Sequence, residues 1–171
     1  GQGYVLASPL QLAVMTARIA SGRAILPRLV RSIGDQELPV SEAPPLGIDG
    51  ALLRAVRQGM HSVMNDRRGT GYSNRVADPA MVLAGKSGTS QVRNISAAER
   101  ARGVISNDQL PWNRRDHALF VGFAPFEAPK VAVAVVVEHG GGGSSVAGPI
   151  VRDVALRCLT PGPLPPLSAY P

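Results

Sequence analysis

Apolar positions along this chain follow two rhythms. Leu10, Leu12, Ala13, Met15, Thr16, Ala17, Ile19 and Ala20 recur at close to the 3.6-residue period of a helix. Ser8 offers a hydroxyl N-cap, Pro9 suits the first helical position and Gly22 ends the run, so the spacing predicts a helix here. Behind Asp49, the residues Leu52, Leu53, Val56, Met60, Val63 and Met64 repeat at i, i+3/i+4 and i+7/i+8, which predicts a second helix. Ile150, Val151, Val154, Ala155, Cys158 and Leu159 predict a third within residues 146–159. Cys158 lies on that apolar stripe and is expected to be a buried, inert thiol.

The second rhythm is that of strands. Residues 82–92, 117–123 and 131–138 read as three strands, and 24–32 as a shorter one. Pro125 and Pro129 punctuate the gap between the last two, which suits an antiparallel hairpin. Val131-Ala132-Val133-Ala134-Val135-Val136-Val137 has no polar alternation, so both of its faces must be covered, and helices must flank the sheet. Residues 34–48 and 67–78 read as loops, and 140–143 as a glycine turn. The polar connection 93–116 is long enough to suggest a functional loop. The domain is read as 1–160, followed by a tail at 161–171 that carries five prolines and is expected to be extended.

Composition narrows the partners. A length of 171 residues is about one domain. The net charge is +6, almost all from arginine, since Lys86 and Lys130 are the only lysines. The positive charges are scattered, the densest groups carry an acid alongside, and aromatics are only 4%, so no nucleic-acid partner is expected. One cysteine cannot form an internal disulfide. His61, His117 and His139 are far apart in sequence with no metal-site spacing, so neither metal nor cofactor is expected. Val131–Val137, the longest apolar run in the second half, is far short of the ~20 residues of a spanning helix. The chain opens Gly1-Gln2-Gly3-Tyr4 without a methionine or a basic leader, which suggests a piece of something longer.

The chemistry concentrates around Lys86. Residues 80–87 nearly spell a phosphate loop, but Ala80 replaces its first glycine, the interior is apolar and no helix start follows. As an extended strand, Lys86-Ser87-Gly88-Thr89 would place Lys86 and Gly88 on one face and Ser87 and Thr89 on the other. Hydroxyls can bind a carboxylate, an ammonium adds charge, Gly88 lets a ligand lie close, and free backbone groups can pair with an extended peptide. From spacing alone, a strand that merely contains a turn is an equal reading.

The run Ala84-Gly85-Lys86-Ser87-Gly88-Thr89-Ser90-Gln91-Val92 resembles the third motif of penicillin-binding proteins and serine β-lactamases, in its K-S-G-T form. Gly1-Gln2-Gly3-Tyr4 followed by Ser8-Pro9-Leu10-Gln11-Leu12-Ala13 resembles the signature that precedes a helix in class B penicillin-binding proteins. Asp116-His117-Ala118-Leu119-Phe120-Val121-Gly122-Phe123-Ala124-Pro125 resembles their next strand, and residues 133–150 their last strand, glycine turn and C-terminal helix.

The resemblance implies an α+β fold, an antiparallel sheet flanked by helices, incomplete in this chain. Three adjacent strands would be present and the family's first strand missing, leaving residues 131–137 as an unpaired apolar edge. It implies a peptidoglycan D,D-transpeptidase that cross-links stem peptides through a serine acyl-enzyme and is acylated by β-lactams. The implied catalytic residues are Lys86, Ser87, Gly88 and Thr89, with Ser87, Thr89, Ser90, Arg93 and Trp112 binding substrate; for Arg93, Trp112 and Arg114 a solvated cleft rim competes with substrate contact. Elongation-machinery membrane proteins are implied partners. The implied location is the periplasmic side of the bacterial inner membrane, with an anchor outside this chain. The family's S-x-x-K serine is missing, because Leu83 and Glu127 stand three residues before the two lysines, and S-x-N is missing too. Both motifs lie upstream of G-Q-G in the family, so a chain cut at Gly1 is the simplest account. The alternative is a non-catalytic interaction module of the elongation machinery.

Overall fold

The computed structural model describes residues 5–160 and 162. The Gly1-Gln2-Gly3-Tyr4 signature and the proline-rich tail, Gly162 apart, lie outside the described residues. Helix α1 spans Pro9–Ser21 and begins on a capping box: Gln11 N–H donates to Ser8 Oγ at 3.2 Å, and Ser8 N–H donates to Gln11 Oε1 at 2.7 Å. Gly22, left-handed at φ 70°, ends it. Helix α2, Gly50–Asn65, starts where Asp49 accepts the N–H of Ala51.

The segment expected as a strand at 24–32 is not one. Only Ser32–Ile33 (β1) and Gln36–Glu37 (β2) pair there, as a two-stranded ribbon. Pro27 removes a donor from the run, and Leu26 and Leu29 stand 75% and 95% exposed with no sheet to cover them.

The three main strands do form. Ala84–Ser90 (β3), His117–Ala124 (β4) and Val131–Val137 (β5) make one antiparallel sheet in the order β3-β4-β5. Register sets Lys86 opposite Val121, Ser87 opposite Phe120 and Thr89 opposite Ala118; Val121 in turn faces Ala134. The long connection contains a short helix α3, Ala97–Arg102. After β5 the chain passes through a π-helical turn, Gly143–Ala147, into helix α4, Gly148–Leu159.

Both faces of the sheet are covered, as the unbroken valine run requires. Phe120 and Ala118 of β4 and Val133 of β5 meet Val151 and Ala155 of α4 on one face. Phe123, Val121, Ala132 and Ala134 meet Ala20 and Ile19 of α1 and Met60 of α2 on the other. Cys158, expected inside, is exposed. Ala147, Val151 and Ala155 form the buried stripe of α4 and its lead-in turn, whereas Ile150, Val154 and Cys158 lie on the adjoining stripe, turned from the sheet. Among the described residues, β5 pairs only with β4. No helix of the described residues is long and apolar enough to cross a membrane.

Candidate active site

Lys86, Ser87, Gly88 and Thr89 come together along an open groove of about 740 Å³. Strand β3 forms one wall; residues 142–145 of the glycine turn form another, and Thr70 also lines it. Lys86 is the only charged side chain in this lining, so the groove favours an anion. The Lys86 ammonium bends back on its own strand, donating to the Ser87 carbonyl at 2.8 Å and lying 3.4 Å from Ser87 Oγ. Thr70 Oγ1 lies 3.3 Å from that same hydroxyl.

The two walls are held together by close backbone packing. A Cβ at Gly143 would sit 2.5 Å from the carbonyl oxygens of both Gly88 and Leu119, so only glycine lets the turn seat against the strands. Asn74, one of the few buried polar side chains, donates through Nδ2 to the Ser144 carbonyl at 2.8 Å and fastens the turn to the loop after α2. That loop is set by the end of the helix, where Gly71 N–H donates to Val63 O at 2.9 Å.

The far end of the turn is clasped by the start of β4. His139, left-handed at φ 55°, donates its backbone N–H to His117 Nδ1 at 2.9 Å, and its own Nδ1 lies 2.9 Å from Arg115 O. His117 Nδ1 therefore carries no proton in this arrangement. Gly141 N–H donates to Asp116 O at 2.8 Å, and Asp116 N–H to Asn107 Oδ1 at 2.8 Å. These bonds give His117 a structural part and let Asp116 order the connection where it rejoins the sheet.

The other expected substrate contacts lie outside the groove lining. Ser90 ends β3 opposite His117. Arg93 forms a two-pronged pair with Glu99, at 2.7 Å on both prongs, and is thereby tied to the start of α3. That hydrogen bond holds the Glu99 carboxyl below the usual glutamate range, partial burial opposing it and the Ile105 N–H assisting. Trp112 sits edge-on to the His139 ring, 4.4 Å between centroids, and is 62% exposed. Sequence reasoning missed Thr70, Asn74 and Gly143. The glycine-flanked hydroxyl in Gly69-Thr70-Gly71 was the one local signal for Thr70.

A helix-flanked antiparallel sheet with a K-S-G-T strand along an anion-favouring groove is the arrangement of the fold shared by penicillin-binding proteins and serine β-lactamases. The family model for the penicillin-binding protein transpeptidase domain matches residues 1–156, and this chain belongs to that family. It is 38% identical over 160 residues to the peptidoglycan D,D-transpeptidase MrdA of Haemophilus influenzae, covering 90% of this chain and 24% of that protein. The crystal structure of Pseudomonas aeruginosa PBP2 in complex with WCK 5153 matches at a TM-score of 0.73 and 39% identity, over 100% of this chain and 35% of that one. Helicobacter pylori PBP2, in its complex with MreC, matches at a TM-score of 0.71 and 30% identity, over 93% of this chain and 26% of that one. The chain spans about a quarter of the length of the curated relatives it matches.

Proposed function

We propose that this chain supplies the K-S-G-T wall of a peptidoglycan D,D-transpeptidase cleft. The observation that carries the reading is the groove itself: one ammonium, the hydroxyls of Ser87 and Thr89, and no acid in the lining. A serine of an S-x-x-K motif elsewhere in the polypeptide attacks the carbonyl carbon between the two D-alanines of a stem peptide. Its Oγ–C bond forms, the C–N bond breaks, and the serine proton leaves on the amine of the departing D-alanine. The amine of a second stem peptide then displaces the serine. β-Lactams acylate the same serine: the strained amide C–N bond breaks as the Oγ–C bond forms, and the amine stays tethered to the acyl group instead of leaving.

In this reading Ser87 and Thr89 hold the terminal carboxylate, while Lys86 supplies positive potential and assists proton transfer. Gly88 permits close approach, and the Thr89 backbone N–H joins the serine's own N–H in stabilising the oxyanion. Ser90, Arg93 and Trp112, which lie outside the groove lining, take no part in holding the carboxylate. The elongation-machinery partner and the periplasmic location at the inner membrane belong to the same proposal; the H. pylori PBP2–MreC complex supports the partner. The test is mass spectrometry after benzylpenicillin treatment. The 171-residue chain, which contains no S-x-x-K, remains unmodified, whereas a longer polypeptide containing it and the serine gains one penicilloyl group. A stoichiometric adduct on the 171-residue chain would overturn this assignment of the nucleophile.

A further inference from the structure

We infer that Thr70 is a positioning residue that fixes which way the Ser87 hydroxyl points and so makes the groove selective for a carboxylate. The inference rests on the groove reading above and deepens it. A hydroxyl has one hydrogen to give and two sites that accept. Lys86 Nζ, 3.4 Å from Ser87 Oγ, can only donate. Thr70 Oγ1 lies 3.3 Å from the same atom, a contact in which either hydroxyl can donate; a carboxylate in the groove accepts the Ser87 hydrogen and so leaves Thr70 as the donor into the second accepting site. With both sites filled, the Ser87 O–H is left as a donor with one free direction, the groove. An anionic carboxylate accepts from that donor strongly, an ester carbonyl only weakly and an amide N–H not at all. Both distances are long for hydrogen bonds, as is common before a ligand draws such a set together.

The placement of Thr70 supports this part. Its backbone is held between two turns, Gly69 N–H to Asp66 O at 2.8 Å and Gly71 N–H to Val63 O at 2.9 Å. Its side chain is exposed, so packing does not require it. The residue arrives from the end of α2, not from β3, so its alignment with Ser87 is a tertiary contact across 17 residues.

The experiment uses the full-length protein and two probes, benzylpenicillin and its methyl ester, with acylation rate constants measured for wild type, Thr70→Val and Thr70→Ser. Thr70→Val should slow acylation by benzylpenicillin about two- to tenfold, the worth of one hydrogen bond, while leaving the methyl-ester rate and the unfolding midpoint unchanged. Thr70→Ser should restore the wild-type rate. An equal loss on both probes, or an undiminished rate with benzylpenicillin, overturns the inference while leaving the groove reading intact. A wild-type protein that neither probe acylates overturns the groove reading, and this inference with it.

Discussion

Arg93 and Glu99 form a pair whose side chains are only 11% and 19% exposed. Because the folded-state carboxyl lies below its value in the unfolded chain, the pair contributes fully at neutral pH and is lost as pH falls through the folded value. Glu99→Gln should therefore speed amide exchange across residues 97–106 at pH 7. In the wild-type chain the same loss of protection, taken relative to the intrinsic exchange rate at each pH, should appear only as pH falls through the lowered Glu99 value. Unchanged exchange in the variant would mean that other contacts hold the connection. At this scale the sequence reveals residues whose chemistry is local. Lys86, Ser87 and Thr89 are legible because they sit side by side on one strand. Thr70 and Asn74 are not, because their partners, Ser87 and Ser144, are 17 and 70 residues away.

Among the elements, the glycine turn is held under a tight steric constraint. Gly143→Ala would press a methyl group into the carbonyl oxygens of Gly88 and Leu119. The expected cost is about 1–3 kcal/mol, read as a fall in thermal unfolding midpoint of several degrees. An unchanged midpoint would mean the turn is not seated on β3 and β4. Helix α1 was legible to the residue because Ser8, Pro9 and Gly22 are caps that act within a turn of the chain. Helix α4 was legible as a helix but not in its orientation. Two adjoining stripes are both apolar, and only the sheet decides that Val151 and Ala155 face inward while Val154 and Cys158 do not. The false strand at 24–32 has the same cause: apolar content without a neighbouring strand to pair with.

For the whole molecule, the open side of β5 is the governing feature. Val131, Val133, Val135 and Val137 pack on the α4 face and Ala132 and Ala134 on the face of α1 and α2, but among the described residues the outer backbone groups of β5 meet no strand. The isolated chain should self-associate, with a weight-average mass in sedimentation velocity that rises with concentration. A stable monomer at high concentration would show that this edge is protected. The alternating cover of helices was foreseeable from the valine run; the bare flank followed only from the family's sheet order.

The clasp between β4 and the glycine turn joins two distant parts of the surface. Trp112 leans on His139, His139 is bonded to Arg115 and His117, and the next residues of the chain form the groove's second wall. The exposed indole thus packs on the same residues that tie the groove's second wall to β4.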